Sequence, residues 1–220
     1  MDLASALENL RMVRKVPSWL VGIPVKGSSL TYLDLHPIDG YATITATRTT
    51  TPSGRAYASA AFGTKGTFSQ KYGTFEARIR YSNGQGVWPA FWFLAAGSNE
   101  TPPEIDVLEA YPGDPAMIGG PNWYSTALHY AGETVSDHFL YDAGSNITGG
   151  FHVYKMVWTP TDMTFYFDGS LVVVFNNAAH LPTVAMYPIF TLAMGAPGYR
   201  VNSTTPATVT MDIDYIRITT

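Results

Sequence analysis

From residue 41 onward, polar and apolar positions alternate in short runs. YATITATR (41–48) and YGTFEARIRY (72–81) keep a period of two, and the second places Phe75, Ala77 and Ile79 on one face. That is the pattern of a half-buried strand. Further β-compatible runs are RAYASAAF (55–62), VWPAFWFLA (87–95), EIDVLEAY (104–111), YSTALHYA (124–131) and FHVYKMVWT (151–159). MTFYFDG (163–169), LVVVFN (171–176), YPIFTLAMG (187–195) and VTMDIDYIRI (209–218) complete the set, with glycine or proline at nearly every junction. Asp168-Gly169 between two such runs predicts a tight hairpin. Only DLASALENLRMV (2–13), with Leu3, Leu7 and Leu10 at helical spacing, predicts a short amphipathic helix.

The pattern therefore predicts an all-β sandwich of two antiparallel sheets with one short N-terminal helix. No internal repeat or linker divides the chain, so residues 1–220 are expected to form one domain. The connections 96–103, 112–123 and 132–150 exceed what a hairpin needs, and a binding surface is expected there.

Composition narrows the partners. The 13 Lys and Arg are scattered in a chain of net charge −4, which argues against a nucleic-acid partner. No apolar run reaches the length of a membrane span, and the protein is expected to act as a monomer. The 14 Tyr, 11 Phe and 5 Trp suit a core and a neutral, hydroxyl-rich ligand with apolar ring faces. With no cysteine, disulfides and thiolate chemistry are excluded. Arg11, Arg14 and Lys15 precede VPSWLVGIPV in the manner of a signal sequence, but Pro17 and Pro24 interrupt it, so this stretch is assigned to the mature chain. Asn99, Asn146 and Asn202 open Asn-x-Thr/Ser triplets, a pattern short enough to arise by chance.

The chemistry concentrates in PPEIDVLEAY (102–111). Glu104, Asp106 and Glu109 lie within six positions of an otherwise apolar run, where desolvation and mutual repulsion make carboxylates costly. Residues two apart share a strand face, so Glu104 and Asp106 point together and Glu109 would point away. One extra residue bulged out at Val107-Leu108 returns Glu109 to the same side. Two carboxyl groups about 5–5.5 Å apart suit retaining glycoside hydrolysis, one attacking the anomeric carbon and the other protonating the leaving oxygen. Crowding would separate their pKa values, as the two roles require. The same acids could instead cap turns, bind a structural cation or face solvent.

Just upstream, alternation in VWPAFWF puts Trp88, Ala90 and Trp92 on one face and Phe91 and Phe93 on the other. If that strand pairs with the acidic one, the two indoles line the groove and can stack on sugar rings; core packing is the alternative for each. Trp123, expected in a loop, can wall the same cleft or pack on its own scaffold. Trp158 is expected in the core, and Glu76 with Arg78 as a structural pair. The five His are dispersed, so no cofactor or catalytic metal is expected.

YGTFEARIRYSNGQGVWPAFWFL followed by PPEIDVLEAY resembles glycoside hydrolase family 16, and so do FHVYKMVWTPTDMTFYFDG and MDIDYIRI. The resemblance spans roughly residues 38 to 218 and leaves 1–37 as an atypical N-terminal segment. It implies a β-jelly roll with Glu104 as nucleophile, Asp106 as its assistant and Glu109 as general acid/base. It also sets His129 beside the acids, where it can hydrogen-bond Asp106 or bind a sugar hydroxyl, with a packing histidine as the alternative, and it implies a structural calcium at Asp214; His152 is expected to be structural. The bulged spacing is similar to laminarinase-, agarase- and carrageenase-like members, which implies a secreted endo-β-1,3-glucanase or mixed-linkage glucanase with a polysaccharide substrate. Galactan or exopolysaccharide cleavage, transglycosylation and a non-catalytic lectin-like sandwich are the alternatives. Thr101-Pro102-Pro103 before the acids and Thr191-Leu192-Ala193-Met194-Gly195-Ala196 depart from the family's usual residues.

Overall fold

The computed structural model of the chain describes residues 32–35, 40–51, 54–96, 102–114, 120–130, 136–196 and 199–220. The helix expected over 2–13 lies outside the described residues. Within them the protein is built from strands, arranged as two stacked antiparallel sheets.

The eight-stranded sheet contains β1 (Tyr32–Leu35), β2 (Ala42–Arg48), β3 (Tyr57–Ala58), β5 (Gly73–Tyr81), β10 (His152–Trp158), β11 (Met163–Phe167), β12 (Ser170–Phe175) and β14 (Thr208–Thr219). The six-stranded sheet runs in the order β4 (Ala61–Gly63), β13 (Met186–Met194), β6 (Val87–Ala95), β7 (Glu104–Glu109), β8 (Trp123–His129) and β9 (Ser136–Asp142).

The core lies between the sheets. From β5, Phe75, Ala77, Ile79 and Tyr81 are buried while the intervening residues are partly exposed, as period-two alternation requires. Phe75 meets Phe93 of β6 edge-on at 5.2 Å, and Phe91 stacks on Phe190 of β13 at 4.7 Å. Each fully buried phenyl ring stabilises the sandwich by about 1.5–3 kcal/mol. Trp158 is buried in this layer, as expected. The β11–β12 hairpin turns at Asp168-Gly169, both with positive φ (45° and 83°), the conformation that Asp-Gly tolerates and a two-residue turn demands. Asp168 also accepts from the Val153 backbone N–H (2.7 Å) and pairs with His152 Nδ1 (2.7 Å), so His152 is structural.

Two expectations of the strand pattern fail. RAYASAAF is not one strand: β3 belongs to the large sheet and β4 to the small one, because the chain crosses between layers at Ser59-Ala60. β9 falls within what looked like a long connection. It is an edge strand with Phe139 and Leu140 both exposed, so no single buried face marks it.

On the outer face of the large sheet, Arg78 pairs with Asp214 (2.7 Å), and Arg80 pairs with Asp212 (2.7 Å). Glu76 accepts instead from the Tyr215 hydroxyl (2.9 Å) and faces Arg217. This corrects the expected Glu76–Arg78 pair: β14 sets Arg217 directly across from Glu76, and the irregularity in its register brings Asp214 to Arg78. It also bears on calcium. The Asp214 carboxylate is already met by a guanidinium, and no cluster of three ligating side chains surrounds it among the described residues.

Candidate active site

β6 pairs with β7 so that Leu94 faces Glu104, Trp92 faces Asp106 and Ala90 faces Glu109. One step along β6, from Phe91 to Trp92, spans two steps along β7, from Leu108 to Asp106. On the other side Asp106 pairs with Ala127 and Glu109 with Ser125, again two residues against three. Val107 is the inserted residue. Directly opposed residues lie on the same side of a sheet, and Ala90, Trp92 and Leu94 share a side by alternation. The three acids therefore project from one face, away from the Phe91 and Phe93 core.

Their surroundings differ along the strand. Glu104 and Asp106 are buried, with 0% and 1% of their surface exposed, while Glu109, at the strand end, keeps partial exposure. His129 of β8 stands opposite Glu104. Its Nε2 lies 2.9 Å from Asp106 Oδ2 and 3.9 Å from Glu104 Oε1. Between an imidazole and a carboxylate the N–H donates, so His129 orients Asp106. The Thr126 hydroxyl donates to the Asp106 carbonyl (2.6 Å) and holds the backbone at the bulge.

Glu109 has a separate set of partners. The Trp88 indole N–H donates to its Oε1 (3.0 Å), and the Tyr111 hydroxyl donates to the same atom (2.9 Å). The Ser125 hydroxyl lies 3.4 Å from Oε2. Burial pushes the Glu109 carboxyl up to about 7, and the nearby Asp106 charge adds to this. The Tyr111 and Trp88 hydrogen bonds and His129 pull it the other way. The group is thus protonated in mild acid and able to release its proton near neutrality, as a general acid must. His138 of β9 faces the same side, across Ala127 from Asp106. Burial lowers its pKa while Asp106 raises it.

The tryptophans depart from expectation. Trp88 and Trp92 are on the acidic face, but only 2% and 0% of their surface is exposed. They pack with Leu94, Tyr187, Ile189 and Tyr199 into a second apolar cluster. This corrects their assignment as open stacking platforms: their rings support the acids, and Trp88 serves through its N–H. Trp123 begins β8 rather than lying in a loop, on the acidic side opposite Asp142, and it is half-buried. Of the three indoles it alone keeps an accessible face. Tyr111, Ser125 and His138 were not singled out from the sequence. Tyr111 sits two residues past Glu109 and could have been flagged; Ser125 and His138 carry no local signal, since only strand pairing brings them to the acids.

The turn after β7 is closely fitted. Tyr111 packs against Trp88 and edge-on against Tyr199, both at 5.4 Å. The Gly113 backbone N–H donates to the Tyr199 hydroxyl (3.0 Å), which donates to the Gly84 carbonyl (2.8 Å). A Cβ on Gly113 would lie 2.1 Å from the Gly84 carbonyl carbon. Gly113→Ala is therefore expected to cost about 1–3 kcal/mol by overpacking against backbone, read as a lower melting temperature, with activity falling because Tyr111 moves with the turn.

Comparison with known proteins gives the same picture. The family described as Glycosyl hydrolases family 16 matches residues 35–217. An endo-1,3-1,4-beta-glycanase, EglC, of Rhizobium meliloti (strain 1021) is 31% identical over 81% of this chain and 38% of its own. Glucan endo-1,3-beta-glucosidase A1 of Niallia circulans is 28% identical over 74% of this chain and 26% of its own. The chain thus spans between about a quarter and two fifths of these relatives. Among solved structures, the catalytic domain of an endo-1,3-beta-glucanase (laminarinase) from Thermotoga petrophila RKU-1 superposes with a TM-score of 0.72 at 25% identity, covering 83% of this chain and 78% of that one.

Proposed function

This chain belongs to glycosyl hydrolases family 16, and from that premise we propose that it is a retaining endo-glycosidase acting on β-linked glucan, with laminarin-type β-1,3-glucan as substrate. A Glu104 oxygen attacks the anomeric carbon while the glycosidic C–O bond breaks, and the Glu109 proton passes to the departing oxygen. Water then gives a proton to Glu109 and attacks the same carbon, releasing Glu104 with net retention. Asp106, oriented by His129, lies between the two and adds to the burial that raises the Glu109 pKa. Trp123 supplies the accessible aromatic face for a sugar ring. The substrate is an extended polymer, so we place the protein outside the cell.

The observation that carries this reading is the insertion at Val107, which returns Glu109 to the side of Glu104 and Asp106. A structural role for the acids would not call for a register change that gathers like charges. The reading is tested by incubation with laminarin, lichenan, agarose and carrageenan, following the oligosaccharides released and, by proton NMR, the first anomer formed. Laminarin is expected to yield shorter chains with β-configured new ends, at a rate that falls as pH rises through about 7, where Glu109 loses its proton. Sugar affinity without new ends would make the protein a lectin, redistributed lengths a transglycosylase, and an α-anomer formed first an inverting enzyme.

A further inference from the structure

We propose that Tyr111, acting with Trp88, fixes which oxygen of Glu109 carries the catalytic proton: Oε1 is held as a permanent acceptor, so the proton resides on Oε2. Tyr111 is in this sense a positioning residue, and the assignment rests on the general-acid role given to Glu109 above.

The geometry is specific to one atom. Two donors converge on Oε1, the Trp88 N–H at 3.0 Å and the Tyr111 O–H at 2.9 Å. An indole nitrogen can only donate, so its partner must accept. In a neutral carboxylic acid the carbonyl oxygen is the good acceptor and the hydroxyl oxygen the donor. With Oε1 committed to two incoming hydrogens, the acid's own hydrogen belongs on Oε2, which meets the Ser125 hydroxyl at 3.4 Å. That looser contact leaves Oε2 free to meet a substrate oxygen.

Tyr111 is itself held so that it donates and does nothing else. Its ring lies between Trp88 and Tyr199, and the Tyr199 hydroxyl is engaged with Gly84 and Gly113, so it does not compete for the phenol. Burial, reinforced by the Glu109 and Asp106 charges, pushes the phenol's pKa up, which keeps it a donor throughout the enzyme's working range.

The groups facing Glu109 can be named by element. Asp106 shares β7 with it and raises its pKa; from β8 Ser125 stands directly opposite and does not titrate, while His129, opposite Glu104, lowers it through its charge. Glu104 lies beyond Asp106 on the same strand. His138 stands one strand further out, on β9. From β6 come Trp88 and Ala90, and from β13 Thr191, none of which titrates. Against that fixed background the two Oε1 donors favour the ionised carboxylate.

The decisive variant is Tyr111→Phe, which removes one hydroxyl and keeps the ring. The direct readout is a 13C titration of labelled glutamate side chains, with the Glu109 signal identified by its loss in Glu109→Gln. Removal of a donor to the charged form should move the Glu109 midpoint upward by about one pH unit. On laminarin the basic limb of kcat/KM should move the same way, with kcat down about tenfold at pH 5–6 and KM little changed. A downward move would mean that Tyr111 accepts the proton from Oε1, and no movement that it only packs; either overturns the proposal. Trp88→Phe should shift the midpoint in the same direction and serves if Tyr111→Phe does not fold. The titration needs no turnover. If the wild-type chain cleaves no glycan, the functional reading fails while the titration still decides the role of Tyr111.

Discussion

Glu104→Ala is expected to abolish reducing-end release from laminarin, lowering kcat by roughly 10⁴-fold or more, the scale on which enzymes lose a covalent nucleophile. The fold should survive. Glu104 is fully buried beside Asp106, so removing it deletes one member of a like-charged pair at the cost of a small cavity. The melting temperature should accordingly stay level or rise. The space left on the nucleophile's side admits azide, which can attack the anomeric carbon directly from that side. An α-glycosyl azide formed only in this variant would identify the atom that has been replaced. Retained turnover in a folded Glu104→Ala protein would remove Glu104 from the reaction.

The cluster could be read from the sequence because its cost was visible there: three acids in EIDVLEAY, among residues that want to be buried, with a spacing that a regular pleat cannot bring to one side. Parity calls for one extra residue at Val107-Leu108 if Glu109 is to join the other two acids, and the register places it at Val107. The Asp168-Gly169 turn was legible for a similar reason, since the backbone there requires positive φ at both residues. Exposure was not legible. Alternation assigns Trp88 and Trp92 to the acidic face correctly but says nothing about what covers that face, and both are enclosed with Tyr187, Ile189 and Tyr199. Partners across strands were hidden for a related reason. Asp214 pairs with Arg78 across an irregularity in the β5–β14 register, and no local pattern predicts that contact. β9 escaped because an edge strand with exposed Phe139 and Leu140 has no buried stripe to announce it.

Glu109→Gln should produce two effects of opposite sign. Without an ionisable proton at Oε2, kcat on a polymeric glucan is expected to fall about 10²–10⁴-fold, the contribution of a positioned general acid. An aryl glycoside whose leaving group needs no protonation should still form the covalent intermediate, which then accumulates because no base activates water; a burst of phenol would report it. Stability should move the other way, in a window set by the raised pKa. In the unfolded chain Glu109 ionises near 4.5, but in the folded protein only at about 7. A carboxyl whose folded pKa is raised contributes its full stability below the unfolded value and loses it as pH rises through the folded one. The wild type should therefore weaken between about pH 4.5 and 7 relative to the Gln variant, whose amide keeps an oxygen for Trp88 and Tyr111 and carries no charge. Allowing for partial exposure and for the neighbouring Asp106, the gap should be about 1–2 kcal/mol at pH 8 and close to zero at pH 4. Denaturant unfolding of both proteins at the two pH values measures it. A gap that does not change with pH would mean that the folded protein does not resist ionising Glu109, and the proton that the mechanism assigns to it near neutrality would have no source.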